Sequence, residues 1–172
     1  MIQWIKFFIE LCLLKSAPQD APSSKSALYF TVLTYFIVGS IITIQTQPFG
    51  SSVTIAAIQT VLIIFMTNII LWIRKTPERY SQTITSLMGT GTLIGLVAIP
   101  VLSLVIGAES EDSIASVIWV ALIIWETVVI AHILRHTMEM PFIAGLGVAL
   151  VYMYMSFAIT LRLLKVIAIP VN

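Results

Sequence analysis

The stretch IASVIWVALIIWETVVIAHIL, residues 114–134, decides the fold of this chain, and Glu126 is its only charged residue. At about 1.5 Å per residue, a helix of this length crosses a hydrocarbon core of about 30 Å. A surface helix of a soluble protein keeps one broad polar face, and this segment has none. It therefore predicts a transmembrane helix.

Four other stretches share this length and apolar character, so the sequence predicts an all-α, polytopic transmembrane bundle of about five spans. We place the spans at residues 27–46, 53–73, 83–106, 114–134 and 142–161. Pro100 is expected to kink the third span. The chain is 59% hydrophobic and only 10% charged, whereas soluble domains carry roughly 25% charged residues. This composition excludes a water-soluble fold and makes the lipid bilayer the expected environment.

Residues 1–26 precede the first span and are predicted to form a separate region. Gln3, Lys6 and Glu10 lie on one face of an otherwise apolar segment, a pattern typical of an amphipathic helix in the membrane interface. Residues 16–26, SAPQDAPSSKS, have the composition of a linker. We therefore divide the chain into residues 1–26 and a five-helix transmembrane domain, residues 27–172.

The distribution of Lys and Arg predicts the orientation, because cytoplasmic segments retain these residues during insertion. With the N-terminus inside, the outer loops contain none, and one of them is the acidic turn at residues 109–112. The C-terminus is then outside. The inner segments contain Lys6, Lys15, Lys25, Arg74, Lys75, Arg79 and Arg135.

Glu126 is the candidate functional residue, because a carboxylate at the bilayer centre costs roughly 2.5–3.5 kcal/mol unless it is protonated or partnered. One interpretation is a proton-carrying or ligand-binding group that faces the bundle interior. The other is a protonated or hydrogen-bonded residue that fastens two helices together. Asn68 and Thr67 are the expected partners, since they lie on the same side of the midplane.

A second polar group lies at the inner end of the fourth span, where His132, Arg135, His136 and Glu139 are spaced to share one helical face. Two histidines at i and i+4 beside a carboxylate can bind zinc. Arg135 stands among them, however, and there is no HExxH motif. We therefore predict a solvated inner cap with headgroup contacts, and no metal or other cofactor.

Small residues and hydroxyls in the spans predict helix contacts. Gly91 and Gly95 in the third span, and Gly145 and Ala149 in the fifth, are spaced so that neighbouring backbones can approach closely. Two polar stripes either form interhelical hydrogen bonds or line a passage; hydrogen bonds are the simpler explanation. The stripes are Tyr152, Ser156 and Thr160, and Thr60, Thr67 and Asn68.

From the second span to the fifth, the layout resembles the bacterial members of the Yip-type (Rab-interacting) family of five-span membrane proteins. The resemblance rests on residues 72–161, with the motifs RKTPERY (74–80), QTITSLMGTGTLIGLVAIP (82–100) and WVALIIWETVVIAHILRHTMEMPFIAGLGVAL (119–150). It implies a five-helix fold, a cytoplasmic N-terminus and a role in membrane organisation. We therefore expect a bacterial inner membrane as the location.

No nucleophile has a neighbouring base, and no acidic pair has a spacing suited to metal-assisted chemistry, so an enzyme is not expected. The net charge of +1 indicates no nucleic-acid partner. Our leading hypothesis is a scaffold or assembly subunit that contacts a membrane-protein partner or a second copy of itself. The alternative is a small transporter, channel or proton-coupled subunit that uses Glu126.

Overall fold

The computed structural model describes residues 2–108 and 114–167, and the side chains of residues 3–108 and 114–162. The predicted acidic turn at 109–112 lies outside this part. Two short 3-10 turns occur at Pro18–Asp20 and Pro77–Arg79. The α-helices are α1 Ile2–Cys12, α2 Lys25–Ile44, α3 Phe49–Arg74, α4 Tyr80–Ile106, α5 Ile114–Met138 and α6 Phe142–Ile167.

Helices α2 to α6 are long and apolar enough to cross a membrane. The described residues contain no strand, so the predicted all-α bundle with five spans is confirmed. Several helices extend past the predicted spans. Helix α2 begins at Lys25, and the Ser24 side chain caps it by accepting a hydrogen bond from the backbone N–H of Ala27. Helix α5 continues to Met138. Polar residues are tolerated in these end turns because helices continue past the hydrocarbon core.

Helix α4 continues through Pro100, the position of the expected kink. The carbonyl of Ile99 next to the proline accepts hydrogen bonds from the Gln45 amide (3.3 Å) and the Ser103 hydroxyl (3.1 Å). The first of these bonds holds the end of α2 against α4 near Pro100, whereas the carbonyl that the proline itself leaves without a helix donor is that of Leu96.

Helix α4 is the central helix of the bundle and packs against α1, α2, α3 and α5. Residues 83–90 of α4 are all buried, and most of them are Thr, Ser or Gly. Small side chains let neighbouring helices approach closely on several sides. Helices α2 and α5 both lie on α4 but contact each other little, while α6 packs against α5 and α3. A gap therefore remains between α2 and α5.

Residues 2–20, the N-terminal arm, pack against the bundle. The exposed residues of α1 include the predicted polar ones, with Lys6 paired to Glu10 at 3.8 Å, and also the apolar Ile5 and Ile9. The opposite face buries Phe8 and Leu11. The Phe8 ring occupies the space that a Cβ at Gly89 of α4 would need, so this glycine admits the arm.

The arm then follows α4 and α5 through four hydrogen bonds. Trp125 Nε1 donates to the Cys12 carbonyl (2.9 Å), and His132 Nε2 contacts the Ser16 carbonyl (2.9 Å). The Gln82 amide donates to the Gln19 carbonyl (2.8 Å), and the Gln19 amide donates to the carbonyl of His136 (3.0 Å). The first part of the predicted linker is therefore fastened to the bundle.

Candidate functional site

Glu126 lies at the middle of α5 and lines a cavity of about 200 Å³ between α2, α4 and α5, the Glu126 cleft. Tyr35 of α2 shares its inner end. From there the cleft follows α2 past Gly39 and α5 to Trp119. We call the end of the bundle with the turn at residues 45–48 the distal end, and the cleft extends towards it.

Glycines of α4 form the floor of the Glu126 cleft. A Cβ at Gly91 would lie 2.7 Å from Cε2 of Tyr35, and one at Gly95 would lie 2.7 Å from Cγ1 of Val38. Real side chains do not approach this closely. These two residues, predicted as packing positions, therefore bring α2 onto α4 and place Tyr35 beside the cleft.

A chain of polar groups continues from Glu126 across α2, α6 and α3. The hydroxyls of Tyr35 and Tyr152 interact with each other, and the Glu126 carboxyl is close enough to interact electrostatically with both. Tyr152 also interacts with Ser156 one turn further along α6. The chain, like the cleft, leads towards the distal end.

Gln59 of α3 completes this polar chain. The Ser156 hydroxyl donates to the Gln59 carbonyl oxygen, and the Gln59 amide N–H donates to the Thr160 hydroxyl. Thr160 also donates to the Ser156 carbonyl of its own helix (2.9 Å). The predicted stripe of Tyr152, Ser156 and Thr160 thus makes interhelical contacts, as the simpler of our two explanations required.

The Glu126 carboxyl receives no hydrogen bond from the described part of the chain. Its neighbours towards the other end of the bundle are closely packed. There, a void of only about 10 Å³ is lined by apolar residues such as Ile63, Leu87 and Ile130, and by the polar residues Tyr35, Thr90 and Tyr152 together with Glu126 itself. A water molecule needs about 10–15 Å³ of such space and two or more polar partners. The void is at the lower limit for one water molecule, so the larger opening beside Glu126 is the cleft, which extends towards the distal end.

Asn68 and Thr67, the predicted partners of Glu126, lie elsewhere. Asn68 is exposed, and its amide donates to the Ile64 carbonyl of its own helix (3.1 Å). Thr67 is buried beside Leu134. The predicted pairing is wrong because it used depth alone: Asn68 lies on an exposed face of α3, and Thr67 meets α5 near Leu134, on the basic side of Glu126.

The second pair of small residues lies between α5 and α6. A Cβ at Gly145 would be 2.7 Å from the Ala131 carbonyl oxygen and 3.0 Å from Cβ of Arg135. Ala149, one turn further along α6, is completely buried. The backbone of α6 therefore lies directly against α5 at these positions.

We call the end where α5 meets α6 the basic end, since Arg74, Arg79 and Arg135 lie there. Arg79 donates to the carbonyls of His136 (3.3 Å) and Thr137 (2.9 Å) and pairs with the Glu139 carboxylate. Arg74 donates to the Met138 carbonyl (2.7 Å). These guanidinium groups satisfy the last carbonyls of α5 and oppose its negative dipole end.

The four predicted residues of the inner polar face are only partly together. The rings of His132 and His136 meet edge to face, with centroids 4.6 Å apart, and Arg135 contacts His136 at 3.1 Å. Glu139 points instead to Arg79, and His132 is buried against Ser16. Among the residues that the structure describes, no three His, Cys, Asp or Glu side chains could hold a metal ion.

Tyr35 and Gln59 were not predicted as members of the site. Gln59 is one of two amides in an apolar span, with Asn68, and Tyr35 is a phenol near the centre of another span, so the depth of both residues in the membrane could have indicated them. What the sequence does not contain is the direction each side chain takes around its helix, because these spans are apolar on all sides.

Comparison of the chain with protein-family models, curated proteins and solved structures found no match. The function is therefore inferred from the membrane-spanning fold and from the geometry around Glu126.

Proposed function

We propose that this protein is a small, non-enzymatic proton-coupled membrane subunit in which Glu126 takes up a proton or a cationic group from the distal end. One observation supports this best. Glu126, at mid-bilayer depth, lacks a hydrogen-bond partner among the described residues and faces a cleft of about 200 Å³. A residue that merely fastened two helices would be bonded to one of them.

The free-energy cost of a charged carboxylate inside the membrane couples the protonation of Glu126 to the occupancy of the cleft. Charging it without a partner costs roughly 2.5–3.5 kcal/mol, so deprotonation favours a cation or water in the cleft, and protonation favours an empty one. The cleft has room for several water molecules or one amine-sized group. Binding and protonation are then mutually exclusive at one site.

The hydroxyl groups beside Glu126 suit a proton path, because a hydroxyl donates and accepts at the same time. Tyr152 and Ser156 can pass a proton by rotating their O–H bonds. The Gln59 amide cannot do so readily, and it positions the Ser156 and Thr160 hydroxyls instead. Release towards the basic end requires a second conformation, because that side of Glu126 is closely packed.

Proton uptake into proteoliposomes tests this proposal. Purified protein is reconstituted, an inside-negative potassium diffusion potential is imposed, and internal pH is followed with a trapped dye. We expect wild-type protein to acidify the lumen and Glu126→Gln to match protein-free liposomes. Glu78→Gln, an exposed carboxyl in the turn before α4, is the matched control and should retain wild-type flux. Equal flux in Glu126→Gln and wild type overturns the proposal.

A second candidate function is an assembly subunit of a membrane complex. It is favoured by the gap between α2 and α5, which both rest on α4 and leave the Glu126 cleft between them. A partner helix with one donor side chain would satisfy the carboxyl there. The resemblance to the Yip-type family, with its role in membrane organisation, agrees with this candidate.

Purification in mild detergent, followed by mass analysis of the proteins that remain bound, separates the two candidates. A stoichiometric second protein that is lost in Glu126→Gln supports the assembly subunit. Recovery of the wild-type chain alone or only with itself, together with Glu126-dependent proton flux, supports the transport subunit.

For the orientation, we propose a bacterial inner membrane with the N-terminus in the cytoplasm and the C-terminus outside. The concentration of arginines at the basic end supports it, together with the location of the N-terminal arm at the same end. Ser23→Cys in a Cys12→Ser background should then react with an impermeant maleimide only after the cytoplasmic face is exposed. Labelling of intact spheroplasts contradicts this orientation.

A further inference from the structure

A pocket of about 350 Å³ lies at the basic end, separate from the Glu126 cleft. It is bounded by the end of α5, the start of α6 and Gln19 of the N-terminal arm. Arg135 and His136 supply its basic side chains, and Met140, Pro141 and Phe142 supply an apolar wall. We call it the Arg135 pocket.

The charge around the Arg135 pocket is positive. Glu139 is its one carboxyl group, and the ion pair with Arg79 already neutralises it. Arg74 lies at the same helix end, and its guanidinium donates a hydrogen bond to the Met138 carbonyl. Arg135 itself forms no salt bridge with any described residue. An anion in the pocket would therefore meet net positive charge.

The neighbours of Arg135 position its guanidinium but do not satisfy all of its hydrogen-bond donors. One terminal nitrogen contacts His136 Nε2 at 3.1 Å, and the guanidinium carbon lies 5.7 Å from the centre of the Phe142 ring. Its buried Nε has no hydrogen-bond partner among the residues described. Guanidinium only donates, and the terminal N–H groups of Arg135 that are not directed at His136 have no acceptor among the described residues, so they are available to an anion in the pocket.

His136 supplies a further donor. Since Arg135 cannot accept a hydrogen bond, Nε2 of His136 must be the acceptor in their contact. The ring proton of a neutral His136 is then on Nδ1, for which the described residues provide no acceptor. Arg135 and His136 thus both bring N–H donors to the pocket, and a planar guanidinium fork suits the oxygens of a phosphate group.

We propose that the Arg135 pocket binds a phosphate group, supplied either by an anionic phospholipid headgroup or by a soluble phosphate monoester. The position at the helix ends is where lipid headgroups lie, and basic pockets at this level bind anionic headgroups. The apolar wall of Met140, Pro141 and Phe142 lies where the lipid part would continue. This site does not depend on the proposed role of Glu126.

Native mass spectrometry of the detergent-solubilised protein tests the site, with phosphatidylglycerol as the probe and phosphatidylcholine as the neutral lipid. We expect wild type to retain phosphatidylglycerol preferentially and Arg135→Gln to bind it at least about tenfold more weakly. Arg162→Gln, an exposed arginine near the other end of α6, is the matched control and should bind as wild type does.

Glycerol 3-phosphate distinguishes the two sources of phosphate. If it displaces the lipid at millimolar concentration and protects wild type but not Arg135→Gln from thermal unfolding, the site takes soluble phosphate. If it has no effect while phosphatidylglycerol does, the source is the lipid.

A charge-preserving variant guards against misfolding of Arg135→Gln. Arg135→Lys keeps the charge but loses the planar donor fork, so its phosphatidylglycerol-induced stabilisation should be smaller than that of wild type. Equal binding in wild type, Arg135→Gln and Arg135→Lys, or equal binding of both lipids to wild type, overturns the proposal.

Discussion

The indole Nε1 of Trp125, the residue next to Glu126, donates a 2.9 Å hydrogen bond to the backbone carbonyl of Cys12. The N-terminal arm therefore packs against α5 beside the candidate site. The bond satisfies the last carbonyl of α1 and holds the arm against α5.

Removal of this bond should loosen the arm. We expect Trp125→Phe to lower the free energy of unfolding by about 1–3 kcal/mol, because the Cys12 carbonyl loses its donor within the bundle. Trp72→Phe is the control, since Trp72 is 80% exposed. Reversible unfolding in mixed detergent micelles measures both, and equal changes would contradict a structural role for the bond.

Cys12 should resist alkylation in the folded protein. Burial raises the pKa of its thiol to about 11 from an ordinary value of 9.0, so very little thiolate forms at pH 8. We expect slow reaction with a small maleimide at pH 8, faster reaction as the pH rises towards 11, and rapid reaction at pH 8 after unfolding. Ser23→Cys in a Cys12→Ser background, at an exposed position, should react quickly throughout. Equal rates for the two folded proteins contradict the burial.

The glycine floor of the Glu126 cleft should not accept a methyl group. Gly91→Ala puts a Cβ 2.7 Å from Tyr35, and we expect a loss of about 1–3 kcal/mol in stability. Gly147→Ala meets no atom within 4 Å and should be neutral or stabilise α6 by up to about 1 kcal/mol. Thermal unfolding of the two variants checks the difference, and a stabilising Gly91→Ala would contradict the close approach.

At the basic end, Arg79 should matter more than its ion-pair partner. Arg79→Gln leaves the carbonyls of His136 and Thr137 without their donor, so we expect a cost of about 1–3 kcal/mol. Glu139→Gln removes only an exposed charge and should cost less than about 1 kcal/mol. A double-mutant cycle on unfolding free energies measures both, and a larger effect of Glu139→Gln would show that the ion pair is the dominant contact.

The fold was predictable because each span needs about 20 apolar residues, and such runs are plain in the sequence. The helix ends were less predictable. Lys25, Arg74 and Met138 lie in turns beyond the hydrocarbon core, where composition no longer distinguishes helix from loop. The packed part of residues 16–26 was missed for a related reason: its contacts use backbone carbonyls, which every sequence has.

The candidate site was predictable only in part. Glu126 stood out because an acid in the membrane centre is costly. Its neighbours did not stand out. The depth of a side chain follows from its position in the span, but its direction around the helix cannot be predicted where every face is apolar. Asn68 was therefore chosen in error, and Tyr35 and Gln59 were missed.

Labelling of Glu126 by dicyclohexylcarbodiimide in native membranes tests the central claim most directly. This apolar reagent adds to a protonated carboxyl and rearranges to a stable N-acylurea, which peptide mass analysis locates. We predict modification at Glu126, and much less in Ala98→Phe, whose ring would fill the cleft that Ala98 lines. An unmodified Glu126 in the wild-type protein would contradict the claim that the cleft leads to this carboxyl.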